Sequence, residues 1–289
     1  MQDDDLRASD NVEDRRGMGG ATKGGLGIGA IVVLSLIGWA TGIDPRTLIN
    51  GAEMVTSGGQ VASAPGSQGG GPQGAPSDKV GAFVARVLGE TEDVWGQILP
   101  QQMGRPYEKP VLVLFSGATR SGCGTAQSAM GPFYCPVDRK LYLDTSFFND
   151  MQTKLGGGGA FPEAYVIAHE VGHHVQNLIG VLPKVERAEA QADQRTANGL
   201  SVKTELMADC LAGVWAFHMN QRHQNIDDND VRQAVATASA IGDDRLAQQA
   251  GRGAVVPDSF THGSAAQRVQ WLTTGLRSGQ VKACDTFGK

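Results

Sequence analysis

The sequence predicts an α+β domain, a small sheet followed by helices, behind a single N-terminal transmembrane helix. Three observations carry that prediction. An uncharged apolar stretch lies near the N-terminus, two β-rich runs fall mid-chain, and helical periodicity fills most of the remainder. A chain of 289 residues has room for two domains, but its first third is poor domain material, which leaves one.

The elements follow in chain order. Residues 1–23 are polar, with Asp and Glu outnumbering Lys and Arg, and read as a disordered cytoplasmic tail. Residues 24–43 carry no charge and contain the apolar run from Ile31 to Ile37. Twenty helical residues span about 30 Å, the thickness of a bilayer core. Arg7, Arg15, Arg16 and Lys23 precede this stretch, whereas only Arg46 lies between it and Asp78. The positive-inside rule then places the N-terminus in the cytoplasm and the body in the periplasm or outside, as a single-pass inner-membrane protein. An uncleaved anchor is favoured over a signal peptide, because the small residues Ala62, Ser63 and Ala64 lie far beyond the apolar core. Residues 44–78, rich in Gly, Ser and Pro, read as a flexible linker to a body at 79–289.

Within the body, 80–99 reads as a helix, and 110–116 and 140–144 read as strands. A second helix begins at Pro162, which suits a first helical position, with Glu163 favouring the N-terminal dipole and Gly180 as a natural stop. Ala164, Ile167, Ala168, Val171, Val175 and Leu178 form its apolar stripe, and His169 and His173 fall nearly opposite. Further helices are predicted over 184–198, 200–220, 228–249 and 264–276.

His169-Glu170-Val171-Gly172-His173 is the most informative motif. Two imidazoles four residues apart on a helix lie about 40° apart around the axis and about 6 Å along it, so both reach one ion. Glu170 projects about 100° away, the place for a general base beside a metal-bound water. An ordinary pair of core or surface histidines is the plain alternative, and the apolar stripe on the other face argues against core burial. A catalytic zinc needs a third protein ligand. Glu205 is the candidate. Asp209, one turn later on the same face, would accept an imidazole N–H (that of His169) and fix its tautomer. Two solvated acids on an amphipathic helix is the competing explanation for that spacing.

These motifs do not stand alone. HEVGHH, then ELMAD, then Phe260-Thr261-His262-Gly263-Ser264 with Gln267 and Arg268, and Cys284-Asp285-Thr286-Phe287 together resemble a bacterial family of neutral zinc metallopeptidases. Gly131-Pro132-Phe133-Tyr134-Cys135-Pro136 and the stretch from Ser9 to Arg16 share the likeness, which covers nearly the whole chain. The resemblance implies a membrane-anchored, zincin-like metalloprotease with one zinc ion held by His169, His173 and Glu205, acting on protein or peptide substrates. By the same resemblance and by loop position, His262 or Arg268 would stabilise the oxyanion, with a capping or structural role as the equal alternative for His262. By analogy, an exposed edge strand, suspected near Leu141, would hold extended peptide by β-addition. His174 points away from the ligand pair, and His218 and His223 read as ordinary helix-end residues.

Four cysteines, none in C-x-x-C spacing, argue against a structural zinc site. An even count in an exported domain suggests two disulfides. Cys123–Cys135 is the favoured pair because both flank one short Gly-rich excursion, leaving Cys210–Cys284. Buried free thiols are the alternative, and would lead if the body were cytoplasmic. Net charge is −5 with no basic stripe, which excludes nucleic acid as an expected partner. The second functional reading is a catalytically inactive zinc-binding membrane scaffold or chaperone-like protein. Glu170 weighs against it, since a structural zinc site needs no base there.

Overall fold

The computed structural model describes residues 1–17, 71–128, 131–154, 159–243 and 260–288. The predicted membrane segment at 24–43 and residues 44–70 of the predicted linker lie outside the described residues. Residues 1–16 and 71–289 form one compact unit.

A four-stranded sheet is the first layer. In chain order its strands are β1 (Val12–Asp14), β2 (Val111–Phe115), β5 (Phe133–Cys135) and β6 (Lys140–Asp144), and in space they run β1-β2-β6-β5. β1, β2 and β6 are parallel, and β5 closes the edge antiparallel to β6. The hairpin β3 (Ala118–Ser121) and β4 (Gly124–Gln127) follows β2. It explains why β2 is apolar throughout rather than alternating. Leu112 and Leu114 face the main core, whereas Val113 and Phe115 join Ala126, Cys135 and Tyr142 in a smaller core on the other face.

Seven α-helices follow among the described residues. They are α1 (Lys79–Met103), α2 (Ser146–Lys154), α3 (Ala160–Leu178), α4 (Leu182–Glu189), α5 (Gln194–His223), α6 (Asp228–Ala240) and α7 (Ala265–Ser278). Asp78 caps α1 by accepting from the Gly81 N–H, and Asp193 caps α5 by accepting from Thr196. Asp227 with Asp230, and Ser264 with Gln267, make capping boxes that start α6 and α7. The predicted helix at 184–198 is interrupted: α4 ends at Glu189, and Asp193 caps the start of α5. Trp95 of α1 and Trp215 of α5 are fully buried in the core between helices and sheet.

The predicted disordered tail is instead part of the fold. Val12 pairs with Leu112, and Leu6 and Val12 are buried. Buried Glu13 accepts from Arg15 Nε (2.8 Å), Lys140 Nζ (2.8 Å) and the Gly71 N–H (3.0 Å). Buried Glu92 of α1 accepts from Arg7 (2.8 Å), Ser9 (2.5 Å) and Asn11 (2.7 Å). The polar residues that give this segment a disordered composition are thus paired with residues far along the chain.

The single-pass placement is corrected with it. A strand preceding the apolar stretch belongs to the sheet of the body, so tail and body lie on the same side, not on opposite faces of a membrane. Among the described residues, no helix is long and apolar enough to cross a membrane.

Cys123–Cys135 and Cys210–Cys284 are both disulfide-bonded. The first ties the hairpin to edge strand β5, and the second ties the C-terminal turn to α5.

Candidate metal centre

The centre is built where α3 crosses α5. A Cβ on Gly172 would lie 3.0 Å from the Ala208 carbonyl, so glycine lets the two helices approach closely. His169 and His173 on α3 then face Glu205 on α5. One donor atom from each of the three lies within 4.8 Å of the others, a group that can hold a metal ion. His169 Nε2 is 3.1 Å from Glu205 Oε2, and His173 Nε2 is 3.4 Å from Glu205 Oε1.

The outer nitrogens settle which ring atoms face inward. His169 Nδ1 donates to Asp209 Oδ1 at 2.9 Å, and His173 Nδ1 donates to Gln176 Oε1 at 3.1 Å. With protons on both Nδ1 atoms, both Nε2 lone pairs turn toward Glu205. Two neutral imidazoles and one carboxylate form a donor set suited to zinc. Burial opposes charge on His169, yet Asp209 and Glu205 carry it up to about 10. Burial likewise opposes charge on His173 and Glu205, but their pairing raises the former and holds the latter well below the usual carboxylate range. A bound cation would replace those protons.

Behind His169 lies a buried network. Asp209 also accepts from Tyr165 Oη (2.6 Å) and, bidentately, from Arg268 Nε and Nη2 (2.9 Å each). This corrects the expectation for Arg268, which is buried against Asp209 and orients the outer carboxylate rather than facing an oxyanion. Glu170 is buried beside the histidines. Burial raises its pKa, while His169, His173 and the Tyr134 amide favour its charged form.

His262 lies in the loop before α7, with its side chain about half exposed at 51%. His174 is buried and neutral, its pKa pushed by burial down to about 4. Its Nε2–H donates to the Glu108 carbonyl (2.7 Å) and its Nδ1 accepts from Tyr134 Oη (3.0 Å), fastening β5 to α3. His218 donates to the Gly279 carbonyl and His223 pairs with Glu90, both structural contacts. The strand near Leu141, suspected as the exposed edge, is β6, which lies inside the sheet between β2 and β5; the edge beside it is β5 instead.

Sequence reasoning missed Tyr165, Gln176 and Gly172. Tyr165 stands four residues before His169, and Gln176 three after His173, so each shares a helical face with the ring it serves. That spacing was the available signal.

Residues 1–287 match the family described as "Putative neutral zinc metallopeptidase", and the chain belongs to that family. It is 45% identical over 292 residues to "Uncharacterized protein YpfJ" of Escherichia coli (strain K12), covering 98% of this chain and 97% of that protein. It is 47% identical over 204 residues to "Uncharacterized protein Rv2575" of Mycobacterium tuberculosis, covering 67% of this chain and 66% of the relative. No solved structure matches the chain.

Proposed function

We propose that this chain is a zinc-dependent peptidase of zincin type that hydrolyses peptide bonds of protein or peptide substrates. His169, His173 and Glu205 hold the ion, Asp209 orients His169, and Glu170 is the general base. The convergence of two Nε2 atoms on Glu205, with a buried carboxylate beside them, is the observation that carries the reading.

Zinc, when bound, polarises the scissile carbonyl and makes a water more acidic. Glu170 accepts the proton that the attacking water gives up and delivers it to the amine nitrogen as the C–N bond breaks. Its burial beside the two rings places it to hold that proton between the two steps. His262 donates a hydrogen bond to the oxygen that gains negative charge. Extended substrate aligns along β5, whose one strand partner among the described residues is β6.

The test is metal analysis of the full-length protein together with cleavage of a broad peptide pool. The wild type should bind about one zinc per chain and cleave in a chelator-sensitive manner. Glu170→Gln should keep the metal and lose activity by about 10²–10⁴-fold. Full activity in Glu170→Gln sinks the scheme. Zinc binding with no cleavage by the wild type would favour the inactive-scaffold alternative.

A further inference from the structure

We propose that Asp243 is a positioning residue that holds His262 as a directed, charged hydrogen-bond donor in the loop packed against the helix that carries Glu205. The catalytic meaning of that role rests on the peptidase reading above, but the positioning itself can be measured without it.

Asp243 follows the turn that ends α6. Its Oδ2 accepts three consecutive backbone N–H groups, from Thr261 (2.8 Å), His262 (2.6 Å) and Gly263 (3.1 Å). Its own N–H donates to the Gly263 carbonyl at 2.9 Å, so the loop is tied in both directions. Three adjacent amides converging on one oxygen make a nest that calls for an anion. The second oxygen, Oδ1, accepts from His262 Nδ1 at 3.3 Å, and Thr261 Oγ1 lies 3.0 Å from the same nitrogen.

The loop is also registered against the helix that carries Glu205. Ser201 of α5 donates to the Thr261 carbonyl at 2.9 Å, and a Cβ on Gly263 would lie 3.1 Å from Leu206. With φ +90°, Gly263 takes a backbone conformation that residues with a side chain rarely adopt.

His262 differs from the structural histidine His174. Both nitrogens of His174 are satisfied inside the protein. His262 uses only Nδ1 and remains half exposed, and its Nε2 makes no hydrogen bond among the described residues. A ring pinned at one nitrogen and open at the other is built to donate. The charged groups facing it are Asp243, Glu205 from α5 and Arg268 from α7. Asp243 raises the imidazole pKa most, burial opposes it, Glu205 adds to the rise and Arg268 subtracts from it.

The experiment follows the His262 ring by NMR in the full-length protein while pH is varied, beside kcat and KM profiles. In the wild type the His262 midpoint should lie above the ordinary value of about 6.5. In Asp243→Asn, which keeps an acceptor but loses the charge, it should fall by about one pH unit. Where cleavage is measurable, the alkaline limb of the activity profile should move down with it, kcat should fall about ten-fold, and KM should change little. Adding Asp243→Asn to His262→Ala should have no further effect on kcat. A wild-type midpoint at or below about 6.5 overturns the proposal even if Asp243→Asn fails to fold. So does a midpoint unmoved in a folded Asp243→Asn, or an additive loss in the double variant. A shifted midpoint in a protein that cleaves nothing upholds the positioning and removes the peptidase reading instead.

Discussion

At the scale of single residues, the chemistry depends on which polar atoms are already spoken for. Asp209 binds four hydrogens from three side chains, and its partner Arg268 is buried with it. Asp209→Asn should therefore weaken zinc binding by about 10–100-fold, measured by competition with a chelator. It should also destabilise the fold by about 3–5 kcal/mol in denaturant titration, because Arg268 is left charged and buried. Glu13 gives a prediction in pH. Burial resists its charge, but Arg15 and Lys140 overcome that and lower its pKa from 4.5 to about 2. A group depressed in the folded state stabilises fully above its unfolded pKa and loses that contribution as pH falls through the folded value. Glu13→Gln should thus cost about 1.5–3 kcal/mol at neutral pH, and the gap from wild type should close toward pH 2 in parallel melts.

At the scale of elements, close helix crossings set the geometry of the centre. A Cβ on Gly275 of α7 would lie 1.9 Å from the Cys210 carbonyl of α5, and one on Gly213 would lie 2.3 Å from the Leu272 carbonyl. Those glycines let α7 lie backbone to backbone on α5, which brings Arg268 to Asp209. Gly275→Ala should lower stability by about 1–3 kcal/mol and weaken zinc uptake as well, read by thermal melts and metal titration on one preparation. Much at this scale was legible in the sequence. Pro162 and Gly180 bracket α3, the i, i+4 spacing pairs His169 with His173, and Glu205 and Asp209 share a face of α5. The interruption at Asp193 was not read, because its capping role depends on a Thr196 N–H within an otherwise continuous helical pattern. The short strands β1, β3, β4 and β5 were not read either. Three or four residues give no periodicity, and each strand is defined by a partner elsewhere in the chain.

At the scale of the whole molecule, composition misled where distance along the chain mattered most. Residues 1–16 look disordered in isolation, yet Arg7, Ser9 and Asn11 find Glu92, and Glu13 finds Lys140. Those partners are invisible to any local window. The orientation inferred from basic residues failed for the same reason, since Arg15 and Arg16 are bound to carboxylates of the folded unit, Glu13, Asp14 and Asp78.

Strand β1 has a consequence for how the protein is made and shortened. Val12 meets Leu112 about one hundred residues later, so at about 5–20 residues per second the first strand leaves the ribosome roughly 5–20 s before its neighbour exists. A chain trimmed to begin at Asp78 would leave the β2 backbone bare along that edge, a ready template for pairing with other molecules. Such a shortened chain should precipitate or self-associate on light scattering at concentrations where the full-length protein stays monodisperse. Adding back a peptide of residues 1–16 should restore dispersion.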